Sequence, residues 1–160
     1  EQHVVWAEFI GTNTVFEIEK KKPSTAYNNF FLGNDKSKWA ANAHAYADIK
    51  YVNYYEYTDL RVYQKEGLLK YDFIIHPKGK NNIKVKYSGQ DHLKINRKGE
   101  LIIETTLGQL IEEKPYAYQL INGEKKEISC QFLLENDTLS FALVEWLNPV
   151  GTSVVRARAT

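Results

Sequence analysis

"NIKVKYSG", residues 82–89, decides the fold. Ile83, Val85 and Tyr87 alternate with Lys84 and Lys86, the two-residue period of a strand with one face in a core and the other in water. A helix would scatter those apolar side chains around its circumference. Upstream, "LLKYDFII" (68–75) puts Leu69, Tyr71, Phe73 and Ile75 on one face. It follows "DLRVYQ" (59–64) across Lys65-Glu66-Gly67, a hairpin turn in which Gly67 supplies a positive φ. His76-Pro77-Lys78-Gly79 then interrupts the pattern.

The same punctuation continues in both directions. "YADIKYV" (46–52) alternates and is β-rich, and "HLKIN" (92–96) and "GELIIETT" (99–106) meet at Arg97-Lys98-Gly99. "GQLIEEKPYAYQLI" (108–121) reads as two strands, or one bent at Pro115. Asn122-Gly123 is the strongest hairpin dipeptide in the chain. "EISCQFLLE" (127–135) and "LSFALVEW" (139–146) pair across Asn136-Asp137. "HVVWAEFI" (3–10) and "TVFEIEK" (14–20) flank Gly11-Thr12-Asn13. About ten short strands at such spacing predict an all-β fold: an antiparallel β-sandwich, or alternatively a partly closed barrel. No linker and no repeat divides residues 1–160, so a single domain is expected.

One segment departs from the strand pattern. In "FFLGNDKSKWAAN" (30–42), Gly33 takes a corner, Asp35 caps a short helical turn near residues 35–42, and Trp39 is expected to pack fully into the core beneath it. The same stretch offers oxygens from Asn34, Asp35 and Ser37 to a hard cation such as calcium, with Asp48 and Asp59 as further ligands from elsewhere. The D-x-[DN]-x-[DN]-G loop is absent, so the capped corner is preferred and no cofactor is required.

Composition bounds the function. The 160 residues suffice for a sizeable core, and the apolar fraction of 43% and charged fraction of 26% are those of a globular protein. A net charge of +1 speaks against nucleic acid as a partner, and no apolar run is long enough for membrane insertion. The chain opens at Glu1 without a methionine and reads as a processed or excised piece. The single cysteine, Cys130, alternates with Ile128 and Phe132 and reads as a small buried apolar residue.

Eleven tyrosines stand out, and several cluster in "YVNYYEYTDLRVY" (51–63). Tyr54, Tyr55, Tyr57 and Tyr63 with Arg61 could form an exposed platform that stacks sugar rings, or an interface of the kind rich in Tyr and Arg. Cross-strand aromatic pairs with one face in the core account for the same residues without a ligand. The four histidines lack metal-binding spacing, and no nucleophile elbow, P-loop or dinucleotide fingerprint occurs. Glu112 and Glu113 are adjacent and would face opposite ways on a strand. A catalytic role is therefore not expected; a glycoside-active enzyme built on distant carboxylates is the least favoured reading.

"NNFFLGNDKSKW", "YADIKYVNYYEYTDLRVY", "GLLKYDFIIHPKGKNNIKVKYSGQDHLKIN" and "GELIIETTLGQLIEEKPYAYQLINGEKKEISCQFLL" follow one another from about Tyr27 to Leu134. Together they resemble a domain of unknown function found ahead of SBBP-type β-propeller repeats in large secreted and cell-surface proteins of Bacteroidetes and related bacteria. The family carries Gly-Ile-Asp where this chain has Tyr57-Thr58-Asp59, so the glycine of that turn is absent here, and often a proline where Lys36 stands. Its closing aliphatic strand is poorly matched by "EWLNPVGTSVVRARAT" (145–160). The resemblance implies an extracellular, non-catalytic accessory module. Its expected partners are adjoining domains or cell-surface components, with glycans as the alternative; Gly33, Trp39, Asp59, Tyr71 and Phe73 are expected to be structural.

Overall fold

The computed structural model describes residues 2–143 and 150–159. Its strands are β1 (Trp6–Ile10), β2 (Glu17–Phe30), β3 (Ala40–Tyr55), β4 (Thr58–Lys65), β5 (Leu68–Ile75), β6 (Lys84–Ser88) and β7 (His92–Ile95). They continue as β8 (Leu101–Thr105), β9 (Gly108–Glu112), β10 (Tyr116–Ile121), β11 (Glu124–Ile128), β12 (Cys130–Glu135), β13 (Thr138–Leu143) and β14 (Thr152–Ala159). One 3₁₀ turn, Lys36–Lys38, is the helical turn expected near 35–42; it is shorter because Ala40 already enters β3. Residues 144–146 of "LSFALVEW" lie outside the described residues.

The strands form two antiparallel sheets stacked as a sandwich, with no closed barrel among the described residues. The small sheet runs β1-β6-β13-β12. The large one runs β2-β3-β4-β5-β14-β9-β8-β7, and β10 with β11 branches from β14. "HVVWAEFI" and "TVFEIEK" therefore do not pair with one another: β1 joins β6, and β2 joins β3. The possible bend at Pro115 is instead a change of partner, from β8 for β9 to β11 and β14 for β10.

The core lies between the sheets. On the large sheet one row runs straight across, Tyr51–Leu60–Phe73–Val155–Ala117–Ile128, with Phe73 and Val155 wholly buried. From the small sheet Val85, Tyr87, Phe132, Leu139 and Phe141 close over it. Phe73 meets Phe141 edge-on at 5.7 Å, joining the layers. Lys84 and Lys86 face away from the core, as the opening alternation requires, and Cys130 is buried with its thiol pushed up to about 11 by burial.

β14 fills the middle of the large sheet, between β5 on one side and β10 and the end of β9 on the other. Val154, Val155 and Ala157 are buried there. Val154 and Val155 point to opposite faces and are both buried, which blurs the alternation over the first half of the strand.

At the opposite margin, β2 and β3 outrun the sheet. β4 pairs with β3 only from Asp48 onward, so residues 22–47 form a two-stranded ribbon with no third strand among the described residues. The register slips between Pro23 and Tyr27 and again between Asn28 and Phe30. At about 3.4 Å per residue the ribbon extends roughly 25–30 Å.

Candidate functional site

The capped corner closes the end of this ribbon. Gly33 has a φ of 72°, and Asp35 caps the 3₁₀ turn by accepting from the Ser37 N–H at 3.1 Å and its hydroxyl at 2.7 Å. Those bonds hold the Asp35 carboxyl below the usual range. The Trp39 indole N–H donates to the Gly33 carbonyl at 3.1 Å, and its ring leans on Phe31 at 5.3 Å.

Trp39 is nonetheless 38% exposed, which corrects the expectation of full burial. The corner sits at the tip of a ribbon that reaches past both sheets, so no core lies beneath it. Tyr27, Phe30, Phe31 and Leu32 are exposed with it, and Lys36 and Lys38 stand beside them. Asp48 and Asp59 are not brought to Asn34, Asp35 and Ser37; both lie buried in the large sheet. No group of three or more His, Cys, Asp or Glu side chains among the described residues could hold a metal ion.

The tyrosine platform does not form as an exposed face. A β-bulge between Tyr51 and Tyr55, with Asn53 at a φ of 54°, breaks the alternation, so Tyr54 and Tyr55 both reach the core. Tyr55 is 1% exposed, and Tyr54 packs edge-on against Phe9, Phe16 and Tyr55. Tyr57 is exposed at the turn, with a φ of 54°. Tyr63 is on the outer face but buried, its ring below the Arg61 guanidinium at 4.6 Å and its hydroxyl 3.3 Å from Asp72. The cluster is a packing device, not a stacking surface.

Asp59 holds the bulge. One oxygen accepts from the Asn53 N–H at 2.8 Å; the other is 3.0 Å from His76 Nε2 and 3.5 Å from Lys50. Burial pushes the Asp59 carboxyl up, but the Asn53 N–H, His76 and Lys50 outweigh it and hold the carboxyl below its ordinary value. Tyr71 and Phe73 lie on the core face of β5, and the Tyr71 hydroxyl donates to buried Glu112 at 2.5 Å. Tyr87 donates to the other Glu112 oxygen at 2.6 Å. Burial pushes Glu112 up, opposed by those two bonds, and raises Tyr71 and Tyr87 as well.

The outer face of the large sheet carries a charged lattice that sequence spacing did not reveal. Register aligns Asp48, Tyr63, Lys70 and Arg158 in one row and Lys50, Arg61, Asp72, Arg156 and Tyr116 in the next. Arg61 grips Asp48 with two bonds of 2.9 and 2.6 Å and, by these bonds, holds its carboxyl low. Arg156 grips Asp72 at 2.7 and 2.8 Å, and Arg158 pairs with Glu113. Where β14 meets the Glu113–Tyr116 segment the surface opens into a cleft of about 240 Å³ lined by Lys70, Glu113, Lys114, Tyr116, Arg156 and Arg158. The one hint in the sequence was Arg156-Ala157-Arg158, a strand alternation with arginine on the outer face.

No curated protein and no solved structure matches the chain. Residues 1–152 match the family described as "Domain of unknown function (DUF7948)". The chain, matched over nearly its whole length, belongs to that family of unknown function.

Proposed function

We propose that the chain is a non-catalytic interaction module that docks a partner protein through the tip of its ribbon. The observation that carries this reading is the exposed cluster of Tyr27, Phe30, Phe31, Leu32 and Trp39 on a hairpin with no third strand among the described residues. An unsupported two-stranded ribbon is marginal in water, and a concentrated apolar tip is costly unless something covers it. Lys36 and Lys38 at the tip and Lys21 and Lys22 at its base, against Asp35, favour an apolar pocket rimmed by carboxylates. The resemblance to modules ahead of SBBP-type repeats supports adjoining domains or cell-surface components of an exported bacterial protein as that partner.

The buried carboxylates Asp48, Asp59, Asp72 and Glu112 support a non-catalytic reading, because each has a holding role. Asp48, Asp72 and Glu113 clamp arginines, Asp59 fastens the bulge, and Glu112 ties Tyr71 to Tyr87. The test is a photo-crosslinking residue at Leu32, with Leu69 and Leu133 on the body as exposed controls, in the protein expressed in its own host. A discrete adduct from position 32 alone, weakened by the double change Lys36→Glu and Lys38→Glu, is the expected result. The same adduct from the body positions, or none from position 32, would contradict it.

A further inference from the structure

From a different part of the molecule, we infer that the cleft between β14 and the Glu113–Tyr116 segment binds a single anionic sugar residue, its oxyanion held by Lys70 and Lys114. The charge balance carries this inference. Arg156 and Arg158 line the cleft already paired, with Asp72 and Glu113 respectively. Lys70 is 7% exposed, yet its one ion partner among the described residues is Glu66 at 3.8 Å, on an exposed turn. A buried ammonium needs closer compensation than a long contact to a solvated carboxylate provides. Lys114, exposed at the rim, has no carboxylate within ion-pair distance among the described residues.

The cleft therefore holds two cations beyond its internal pairs. Each guanidinium has five N–H donors. Arg156 uses two of its groups on Asp72 and Arg158 uses one on Glu113, which leaves further donors on these two cleft-lining residues. A carboxylate or a sulfate ester meets both needs, charge and several hydrogen-bond acceptors.

Size and wall chemistry select the scaffold. About 240 Å³ accommodates one ring with its substituent, not an extended chain. Tyr116 contributes a half-buried aromatic wall, with the Lys125 ammonium 4.7 Å from its ring centre. An aromatic ring beside polar and charged donors suits a pyranose, which offers an apolar C–H face and hydroxyls at its edge. The ligand is thus a hexuronate or a sulfated monosaccharide, two carriers of the same chemistry.

The test is titration followed by amide NMR shifts and calorimetry, with D-galacturonate, galactose 6-sulfate, neutral galactose and inorganic sulfate as probes. Saturable binding of one or both anionic sugars near Lys70, Lys114 and Tyr116 is expected, with a Kd on the order of 1 mM. Which anionic sugar binds tighter identifies the carrier. Raising the salt to about 0.5 M should weaken it severalfold. Lys114→Gln, at an exposed position that does not endanger folding, should weaken both sugars about tenfold. Lys70→Gln should do the same where it folds, and Tyr116→Ala should weaken the sugars but not inorganic sulfate. Galactose binding as tightly as galacturonate would overturn the oxyanion assignment. Inorganic sulfate matching the sulfated sugar would overturn the sugar assignment. No saturable shift, or an unchanged Lys114→Gln variant, would overturn the site.

Discussion

Glu112 and Trp39 show how position, not residue type, sets what a side chain does here. Glu112 is buried between two tyrosine hydroxyls and burial raises its carboxyl, so the folded protein gives up that proton at a higher pH than the unfolded chain does. Stability from this group is full below its unfolded value near 4.5 and declines as pH rises through the raised folded value. Glu112→Gln keeps an acceptor for Tyr71 or Tyr87 and removes the titration. Urea melts from pH 5 to 9 should show a flatter decline for the variant than for the parent chain. An identical decline would mean that Glu112 does not titrate differently on folding. Trp39, in contrast, packs only against its own hairpin. Trp39→Ala should cost less than about 1.5 kcal/mol, whereas Phe73→Ala, with no exposure, should cost about 3–5 kcal/mol. Equal costs in urea denaturation would mean that the corner is as much part of the core as Phe73.

Among the elements, β14 carries the greatest structural weight for the least sequence signal. It is hydrogen-bonded along both edges, and its buried Val155 is central in the core row of the large sheet. A chain ended at residue 151 should lose cooperative unfolding by circular dichroism and NMR dispersion. Val155→Asp should do much the same, because it buries a charge without a partner. A cooperative melt from the shortened chain would show that β5 and β10 pair without β14. The half-buried strands were legible because one face meets water: β6, with Lys84 and Val85 on opposite sides, follows its alternation closely. The hairpins at Glu66-Gly67 and Asn122-Gly123 were legible too, since their positive φ values favour glycine at 67 and Asn-Gly at 122 and 123. β14 was not, because Ser153, Val154 and Val155 are buried in succession, which leaves alternation only in Arg156-Ala157-Arg158. The bulge at Asn53 was likewise invisible, and it is what carried Tyr54 and Tyr55 away from the expected platform.

The whole molecule is a sandwich with two distinct extensions of its chemistry: an apolar-tipped ribbon at one margin and a basic cleft on the outer face beside the central β14. Neither could be read from spacing. Asp72 and Arg156 are 84 residues apart, and only the register of β5 with β14 makes them partners. The ribbon was readable as β-sequence, but not its lack of a third strand, which depends on where β4 ends. On the acid side Asp48 and Asp59, both held below 3.8, contribute stability above that value and lose it as pH falls through their folded values. With Glu112 acting in the opposite sense, maximum stability should fall in the mildly acidic range, a result that thermal melts across pH would check.

Peptide-resolved hydrogen exchange tests the central claim, an unsupported docking ribbon on a firm sandwich, most directly. Amides of residues 22–30 and 40–46 should exchange far faster than those of β5 and β14, which should open only with global unfolding. Protection of the ribbon equal to that of β5 would contradict the account, because it would mean that the chain's own body covers the tip.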